Sequence, residues 1–286
     1  MSLLGEVIQE RPFNSHKGDF GRVLLIGGTY PYGGAILMAA QAALYSGAGL
    51  VTVATDRENI LPLHARIPEA MAIDLEDQPS LIQELQKART VVIGPGLSTN
   101  DLGMTLLGLV CQQIQKEQIL ILDGGAIRLI AQGSIPFPDC RLIFTPHQKE
   151  LEDLLGLEVE QQSKEKVQTA IERLPLGAIL VEKRPHTRIW EKGRSDHYQL
   201  QVGGPHQATG GMGDTLAGMI AGFTAQFKQV SLYQCVTAAT YVHSAIADGL
   251  KKEAYVVLPS QLTRQIPSFM RRVCEGEDFS DPLRIK

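Results

Sequence analysis

The chain has 286 residues, of which 44% are hydrophobic and 20% are charged, and its 27 basic and 31 acidic side chains give a formal net charge of −4. This length is enough for one large domain with a sizeable core, and the charge balance gives no footprint for nucleic acid or an anionic membrane. The four cysteines form no Cys-x-x-Cys pair, and charged residues interrupt the N-terminal stretch where a signal peptide would be apolar, so we expect a cytoplasmic protein. No Pro/Ser-rich linker or repeat divides the chain, so we expect residues 1–286 to form a single domain.

Apolar runs of strand length alternate with longer segments of helical period over the first two thirds of the chain. Strands are predicted over residues 22–26, 50–54, 90–93, 119–122, 142–144 and 178–182, with helices over residues 35–45 and 102–116. The segments 187–191 and 197–202, separated by a polar turn, predict an antiparallel hairpin. Two long helices follow, over residues 214–227 and 232–248, and the charged tail after Cys274 is predicted to fray.

Alternating strands and helices are typical of an α/β fold with a mostly parallel central sheet. In such sheets, ligands bind at the carboxyl ends of the strands. Gly94-Pro95-Gly96, Asp123-Gly124-Gly125 and Thr145-Pro146-His147 each follow a predicted strand, and Lys183 ends another. The sequence therefore predicts a ligand site built from these strand ends.

The segment from Ala208 to Asp214 is the most distinctive part of the chain. Its three glycines let several backbone N–H groups face one anion, and the start of the following helix adds a positive dipole end. Asp214 then stands where it can accept the proton of a hydroxyl that attacks a terminal phosphate. The competing interpretation makes Asp214 a helix N-cap. The Gly-Lys-Ser/Thr phosphate loop is absent, so a different class of nucleotide site is indicated.

Six motifs occur in a fixed order: Lys17-Gly18-Asp19-Phe20-Gly21, Gly33-Gly34-Ala35, Ser46-Gly47-Ala48-Gly49, Gly94-Pro95-Gly96-Leu97, Thr145-Pro146-His147 with Glu150, and the segment 208–214. Together they resemble the ADP/ATP-dependent NAD(P)H-hydrate dehydratases of the ribokinase-like superfamily. The resemblance implies a ribokinase-like three-layer α/β/α fold. It also implies repair of (S)-NADHX or (S)-NADPHX, the hydrated forms of NADH and NADPH, by phosphorylation of the stray ring hydroxyl and loss of phosphate. ADP is favoured over ATP as the donor.

The resemblance also implies roles for individual residues, with Asp214 as the catalytic base. The substrate-binding positions it implies are Ala35, Gly96, His147 and Asp214. The nucleotide-binding positions it implies are Lys183, Arg184, Pro185, His186, Thr187, Gly210, Gly211 and Gly213. Magnesium is expected to accompany the nucleotide, with Asp123 orienting a magnesium-bound water, and no side chain is assigned as a direct metal ligand. Relatives imply a homo-oligomer, specifically a tetramer, and a separate NAD(P)H-hydrate epimerase as a functional partner.

Four positions depart from the family pattern. Arg184 replaces a glycine, Gly125 an aspartate, and Arg128 and Gly204 each replace an asparagine. They touch secondary positions and leave Asp214 in place. They keep two alternatives open: a ribokinase-like kinase that releases a phosphoester of a small alcohol, and a non-catalytic nucleotide-binding relative.

Overall fold

The computed structural model describes residues 2–277 and 279, and these form a nine-stranded sheet. The strands are β1 Arg22–Ile26, β2 Leu50–Thr55, β3 Met71–Asp74, β4 Thr90–Ile93, β5 Ile119–Leu122, β6 Arg141–Phe144, β7 Ile179–Glu182, β8 Arg188–Glu191 and β9 Tyr198–Gln199. Their spatial order is β3-β2-β1-β4-β5-β6-β7-β8-β9. All neighbours from β3 to β7 are parallel, whereas β8 and β9 add an antiparallel edge.

Helices connect the strands and cover the sheet. They are α1 Leu3–Val7, α2 Gly33–Tyr45, α3 Ile60–Arg66, α4 Gln78–Lys87, α5 Asp101–Gln113, α6 Gly124–Ala131, α7 Gln148–Leu155, α8 Lys164–Ala170, α9 Met212–Gln226, α10 Leu232–Leu250 and α11 Pro259–Cys274. In the described part of the chain, no helix combines the length and apolar character needed to cross a membrane.

The sheet separates two apolar cores. Successive residues of a strand face opposite sides, so Val23 and Leu25 of β1 join one core while Leu24 and Ile26 join the other. The first core lies under α2, α9, α10 and α11, and the second lies under α4 to α8. The predicted three-layer α/β/α architecture is therefore confirmed.

The strands predicted over residues 22–26, 90–93 and 119–122 are confirmed at both ends, and the hairpin is confirmed as β8 and β9, with β9 shorter than expected. The helix predicted to reach residue 116 ends at Gln113 instead. The side chain of Gln118 accepts a hydrogen bond from the Gln115 amide at 2.7 Å, which turns the chain into β5. Strand β3 was not predicted, because its apolar run from Met71 to Ile73 is short and its residues are exposed or only partly buried. Most of the tail predicted to fray lies outside the described residues.

The strand order reverses at β1: β2 and β3 lie on one side of it, whereas β4 and the later strands lie on the other. This reversal creates a crevice between the carboxyl ends of β1 and β4. Thr29, which follows β1, donates from its amide at 2.9 Å and its hydroxyl at 3.0 Å to the carbonyl of Gly96, which follows β4. Such a switch point is the usual ligand site of an open α/β sheet. The fold therefore places one candidate binding position at the centre of the sheet.

Candidate functional site

A charged cluster lies at the carboxyl ends of β5, β6 and β7. Asp123 follows β5 and accepts hydrogen bonds at one oxygen, Oδ1, from Lys183 Nζ at 2.8 Å and from Thr145 Oγ1 at 2.6 Å. Lys183 Nζ also lies 3.9 Å from Glu150 Oε2. These residues are up to 60 positions apart in sequence and meet because β5, β6 and β7 are parallel neighbours.

The Lys183 ammonium is the only cation that contacts Asp123 in the described structure, and its side chain is 19% exposed. Burial alone would lower the pKa of Lys183. The carboxylates of Asp123 and Glu150, with a smaller contribution from Asp214, outweigh it and raise the pKa above its ordinary value. Lys183 is therefore a positive charge at the carboxyl ends of the strands, and the carboxylates around it outnumber it.

Asp214 lies in the first turn of α9, beside this cluster. The helix begins at Met212 and its N-cap is Gly211, so the interpretation of Asp214 as the N-cap is wrong. Burial first, and the carboxylate of Asp123 second, raise the pKa of Asp214 to about 6, against the opposing effect of Lys183. A carboxylate with this pKa is a stronger base than an exposed aspartate and is still ionised at neutral pH.

The turn before α9 is possible because residue 211 is glycine. Gly211 has φ +92°, in the left-handed region, and a Cβ at this position would lie 2.3 Å from the sulfur of Met38 on α2. Two residues on, a Cβ on Gly213 would lie 3.0 Å from Lys183 Nζ. The start of α9 and the Lys183 ammonium thus face the same space, and both favour an anion there.

His147 lies at the edge of the same cluster, as the N-cap of α7. Its Nδ1 accepts from the amides of Lys149 at 3.1 Å and Glu150 at 3.3 Å, and Glu150 Oε2 accepts from the His147 amide at 2.9 Å. Its Nε2 lies 3.2 Å from Glu150 Oε1, while the side chain remains 46% exposed. Nδ1 is therefore used in the cap and Nε2 lies beside the Glu150 carboxylate, so the exposed ring surface is what this residue presents to the cleft.

Ala35 and Gly96, the other two implied substrate positions, meet at the switch point. A Cβ on Gly96 would lie 3.1 Å from the Ala35 Cβ and 2.4 Å from the Tyr32 carbonyl oxygen. Gly96 also has φ +62°, a left-handed conformation that favours glycine. A side chain at residue 96 would fill the space between the loops that follow β1 and β4.

The segment 183–187 turns from β7 into the hairpin. Arg184 Nη1 donates to Glu182 Oε1 at 3.1 Å and to the Gln162 carbonyl at 3.2 Å, so its guanidinium is bound to the protein. Pro185 and His186 are exposed at the tip, and His186 has φ 58°. Thr187 Oγ1 donates to the Arg184 carbonyl at 3.3 Å and closes the turn. Arg184 therefore fixes the shape of this turn where the family has glycine.

The other departures have separate structural settings. A Cβ on Gly125 would lie 2.1 Å from the Leu97 carbonyl oxygen, so the aspartate typical of the family does not fit this backbone. Arg128 is exposed on α6. Gly204 has an extended backbone, and its amide donates to Gln207 Oε1 at 3.3 Å.

Three contributors to the site were not recognised in the sequence: Met38, Thr145 as a partner of Asp123, and His243. The sequence did indicate Thr145, because a threonine directly after a buried strand can reach the end of the neighbouring strand. It did not indicate Met38 or His243, because each lies inside an ordinary helical segment and contacts the glycine turn only through the packing of α2 and α10 against α9.

The comparisons with known proteins agree with these motifs. A family model described as NAD(P)H-hydrate dehydratase matches residues 23–268. The chain is 56% identical over 279 residues to the ADP-dependent (S)-NAD(P)H-hydrate dehydratase of Streptococcus pneumoniae (strain ATCC BAA-255 / R6), covering 98% of this chain and 96% of that protein.

Solved structures of related proteins share its fold. One is a ribokinase-like superfamily protein of Enterococcus faecalis V583, with 44% identity and a TM-score of 0.90 over 96% of this chain and 94% of that one. Another is the ADP/ATP-dependent NAD(P)H-hydrate dehydratase of Bacillus subtilis co-crystallized with ATP/Mg2+, with 27% identity and a TM-score of 0.83 over 94% and 96% of the two chains. Because the family model matches most of its length, the chain belongs to the NAD(P)H-hydrate dehydratase family and has a ribokinase-like fold.

Proposed function

We propose that this chain is an enzyme that dehydrates (S)-NADHX and (S)-NADPHX to NADH and NADPH, with ADP as the phosphoryl donor. The observation that carries the proposal is the position of Asp214, a carboxylate with a pKa of about 6, beside Lys183 and the first turn of α9. This arrangement supplies a base next to an anion site. The printed activity of the pneumococcal relative, which is 56% identical, supports the substrate and the donor.

The first step transfers a phosphoryl group. Asp214 accepts the proton of the substrate's ring hydroxyl, whose oxygen forms a bond to the terminal phosphorus of ADP as the bond to the AMP oxygen breaks. The backbone amides of Gly210, Gly211 and Gly213 and the Lys183 ammonium lie on the side where negative charge is transferred. They stabilise that charge without having to reorganise during the reaction.

The second step is an elimination. Hydroxide is a poor leaving group, but phosphate departs readily with the electron pair of the C–O bond. The adjacent ring carbon then loses to water the proton that hydration had added, which restores the ring double bond. Phosphate, AMP and NADH or NADPH are the products, and the same base thus serves a lyase where a kinase would stop at the ester.

We propose that the substrate lies in the crevice between β1 and β4. Ala35 and Gly96 carry no bulky side chain there, which lets a flat ring approach the backbone. His147 would line this space with its exposed ring surface, because Nδ1 is used in the cap of α7 and Nε2 lies beside Glu150. The position of His147 next to Lys183, whose amide donates to the Pro146 carbonyl at 2.9 Å, supports a continuous site from ring to phosphate.

The nucleotide is proposed to lie along the turn 183–187. Lys183 would contact its phosphates, and the exposed Pro185 and His186, together with the half-buried Thr187, would line its base and ribose. The Arg184 side chain, which is held by Glu182, would keep the turn in place, so its own contribution to binding is through the backbone.

The residues present fit a magnesium ion that enters with the nucleotide. Asp123, Glu150 and Asp214 place three carboxylates around one ammonium, and carboxylate oxygens together with phosphates are the ligands that magnesium prefers. Asp123 and Glu150 would hold the ion through its water molecules. When bound, magnesium neutralises the charge that develops on the phosphates.

Further properties follow from the same proposal. The four free cysteines support a reducing compartment such as the cytoplasm, and the shared sheet supports a single domain over residues 1–286. Exposed apolar side chains such as Phe13 and Tyr255 support a homo-oligomer, for which the tetramer of relatives is the working hypothesis. An enzyme that interconverts the epimers of the hydrated cofactor, the separate epimerase, would supply the substrate.

The decisive experiment incubates the protein with hydrated NADH, magnesium and either ADP or ATP. We expect the near-ultraviolet absorbance of NADH to return with release of one phosphate per NADH formed, and faster with ADP. Asp214→Asn should reduce turnover by about 10²–10⁴-fold while ADP binding, measured by calorimetry, is retained. The matched control is Asp139→Asn, which should behave as wild type. Asp139 is exposed and precedes β6, at the amino ends of the strands and so opposite the site.

Each alternative gives a different result in this assay. A kinase would consume nucleotide and leave a stable phosphoester without restoring absorbance. A non-catalytic relative would bind ADP without turnover. A near-normal rate in Asp214→Asn would remove Asp214 as the general base.

A further inference from the structure

His243 lies on α10, beneath the glycine segment that leads into α9, and is 5% exposed. Its Nδ1 lies 3.4 Å from Gln207 Nε2, and the ring lies against the backbone of Met212, the first residue of α9. Gln207 and Met212 are the residues at the two ends of the segment 208–211. One buried ring therefore contacts both ends of the turn whose amides are proposed to bind the phosphate.

The hydrogen-bond pattern defines the protonation of this ring. The Gly204 amide donates to Gln207 Oε1 at 3.3 Å, so the Gln207 amide group is turned with its Nε2 toward His243. Gln207 Nε2 can only donate, so Nδ1 of His243 accepts and the ring proton lies on Nε2. Burial lowers the pKa of His243 to about 4, which keeps the ring neutral at physiological pH.

This protonation leaves a buried donor unsatisfied. Within residues 2–277 and 279, His243 Nε2 is buried and has no hydrogen-bond partner in acceptable geometry. An unsatisfied buried donor destabilises a fold, and an apolar ring of similar shape avoids that cost. What the histidine supplies at this position is its contact with Gln207 on one side of the turn and with the backbone of Met212 on the other.

We propose that His243 is a positioning residue for the phosphate-binding turn. Through Gln207 and the first residue of α9, it holds the amides of residues 210–213 in the orientation that faces the transferred phosphoryl group. This inference rests on the proposed nucleotide-dependent reaction but concerns ADP binding, so it has its own readout. His243 contacts neither reacting atom and acts only through the turn.

The test replaces His243 with phenylalanine in the full chain. His243→Phe should weaken ADP binding and raise the Michaelis constant for ADP by about tenfold, the effect of one hydrogen bond. Its melting temperature should stay close to that of wild type, because the variant removes an unsatisfied buried donor but also the partner of Gln207, and these two effects have opposite signs. His243→Asn, whose Oδ1 can replace Nδ1 as the acceptor for Gln207, should recover part of the affinity.

Thr237→Val is the matched control, because Thr237 Oγ1 is also buried without a partner in the described structure and lies on α10 six residues before His243. It should preserve ADP affinity and turnover. Should His243→Phe fail to fold, Gln207→Leu tests the same contact and should weaken ADP binding likewise.

Unchanged ADP affinity in His243→Phe or, if that variant does not fold, in Gln207→Leu would overturn the inference, as would a loss that His243→Asn does not restore. If the wild type binds ADP but does not turn over hydrated NADH, the proposed function fails while the effect of His243 on ADP binding still decides the inference.

Discussion

At the scale of single residues, the chemistry of the site depends on how four charges share a partly buried space. Lys183 is bonded to Asp123 and lies near Glu150, so the cluster is negative before any ligand arrives. Burial and Asp123 both disfavour the ionised form of Asp214 and so raise its pKa. The same environment that makes Asp214 a better base also makes its charge costly to the fold.

This cost gives a pH dependence with a defined sign. The base acts only when it is ionised, so kcat should fall as the pH is lowered through about 6, tenfold for each further unit. The folded-state pKa of Asp214 is raised above the unfolded value of 3.8. The contribution of Asp214 to the free energy of unfolding is therefore complete below pH 3.8 and is lost as the pH rises to about 6. Asp214→Asn should therefore be more stable than wild type above pH 6 and equal to it below 3.8.

The measurements are a pH profile of kcat and thermal unfolding of both proteins across the same range. Asp139→Asn, whose side chain is 85% exposed, serves as the control and should reproduce both wild-type profiles. A kcat that does not change between pH 5 and 7 would contradict the assignment of a base with a pKa of about 6.

At the scale of elements, the site is formed by the start of α9. The helix is close to α2 along small residues, with Ala39, Ala43 and Ala217 all fully buried, and this close packing brings Met38 under the glycine turn. The turn therefore packs against α2 at Gly211 and faces Lys183 at Gly213. A change in the turn should affect anion binding more than it affects the stability of the fold.

Gly211→Ala tests this arrangement. The new Cβ would meet the flexible end of the Met38 side chain, which can move away, but an alanine is strained in the left-handed backbone of residue 211, so we expect the turn to shift and ADP affinity to fall by at least about tenfold. Gly133→Ala is the matched control, because Gly133 has φ +75° with open space around it at the end of α6. Both variants should lose some stability, but only Gly211→Ala should lose ADP affinity in a calorimetric titration. Equal affinity in the two variants would show that the turn does not bind the phosphates.

At the scale of the whole molecule, the antiparallel edge is joined to the parallel sheet by a buried ion pair. Glu182 at the end of β7 binds Arg188 of β8 through two hydrogen bonds and accepts from Trp190 Nε1 at 3.0 Å. Arg188 also donates to the Gln162 carbonyl at 3.0 Å, which ties the segment before α8 to the hairpin. Glu182 is fully buried, so neither charge is screened by water.

Removing one partner of this pair should therefore be costly. We expect Glu182→Gln to lower the free energy of unfolding by about 3–5 kcal/mol, because Arg188 would remain buried without a counter-charge. Urea denaturation of the full chain measures the change. Glu152→Gln removes a comparable carboxylate from the exposed pair with Lys149 and should leave stability unchanged. A small effect in Glu182→Gln would mean that water reaches Arg188.

The extent to which the sequence predicted these features differs between the fold and the site. Strands β1, β4 and β5 were predicted at both ends because continuous apolar runs bounded by glycine or polar residues have few alternatives. Strand β3 and the short helices α6 and α7 were not, since their burial depends on neighbours that the local pattern does not show. The motif residues Asp214, Lys183 and His147 were identified, whereas the role of Gly211 as the N-cap of α9 was not.

By itself, the sequence determined the alternation of strands and helices, the flexible glycine turn and the acidic residue that follows it, because local backbone freedom and apolar periodicity act over a few residues. Only the tertiary structure decided which strand ends are neighbours, and so that Asp123 meets Lys183, that Gly96 meets Ala35 and that His243 lies beneath the turn. The physical reason is that burial, charge interactions and close packing depend on distance through space, and the sheet order sets that distance independently of separation along the chain.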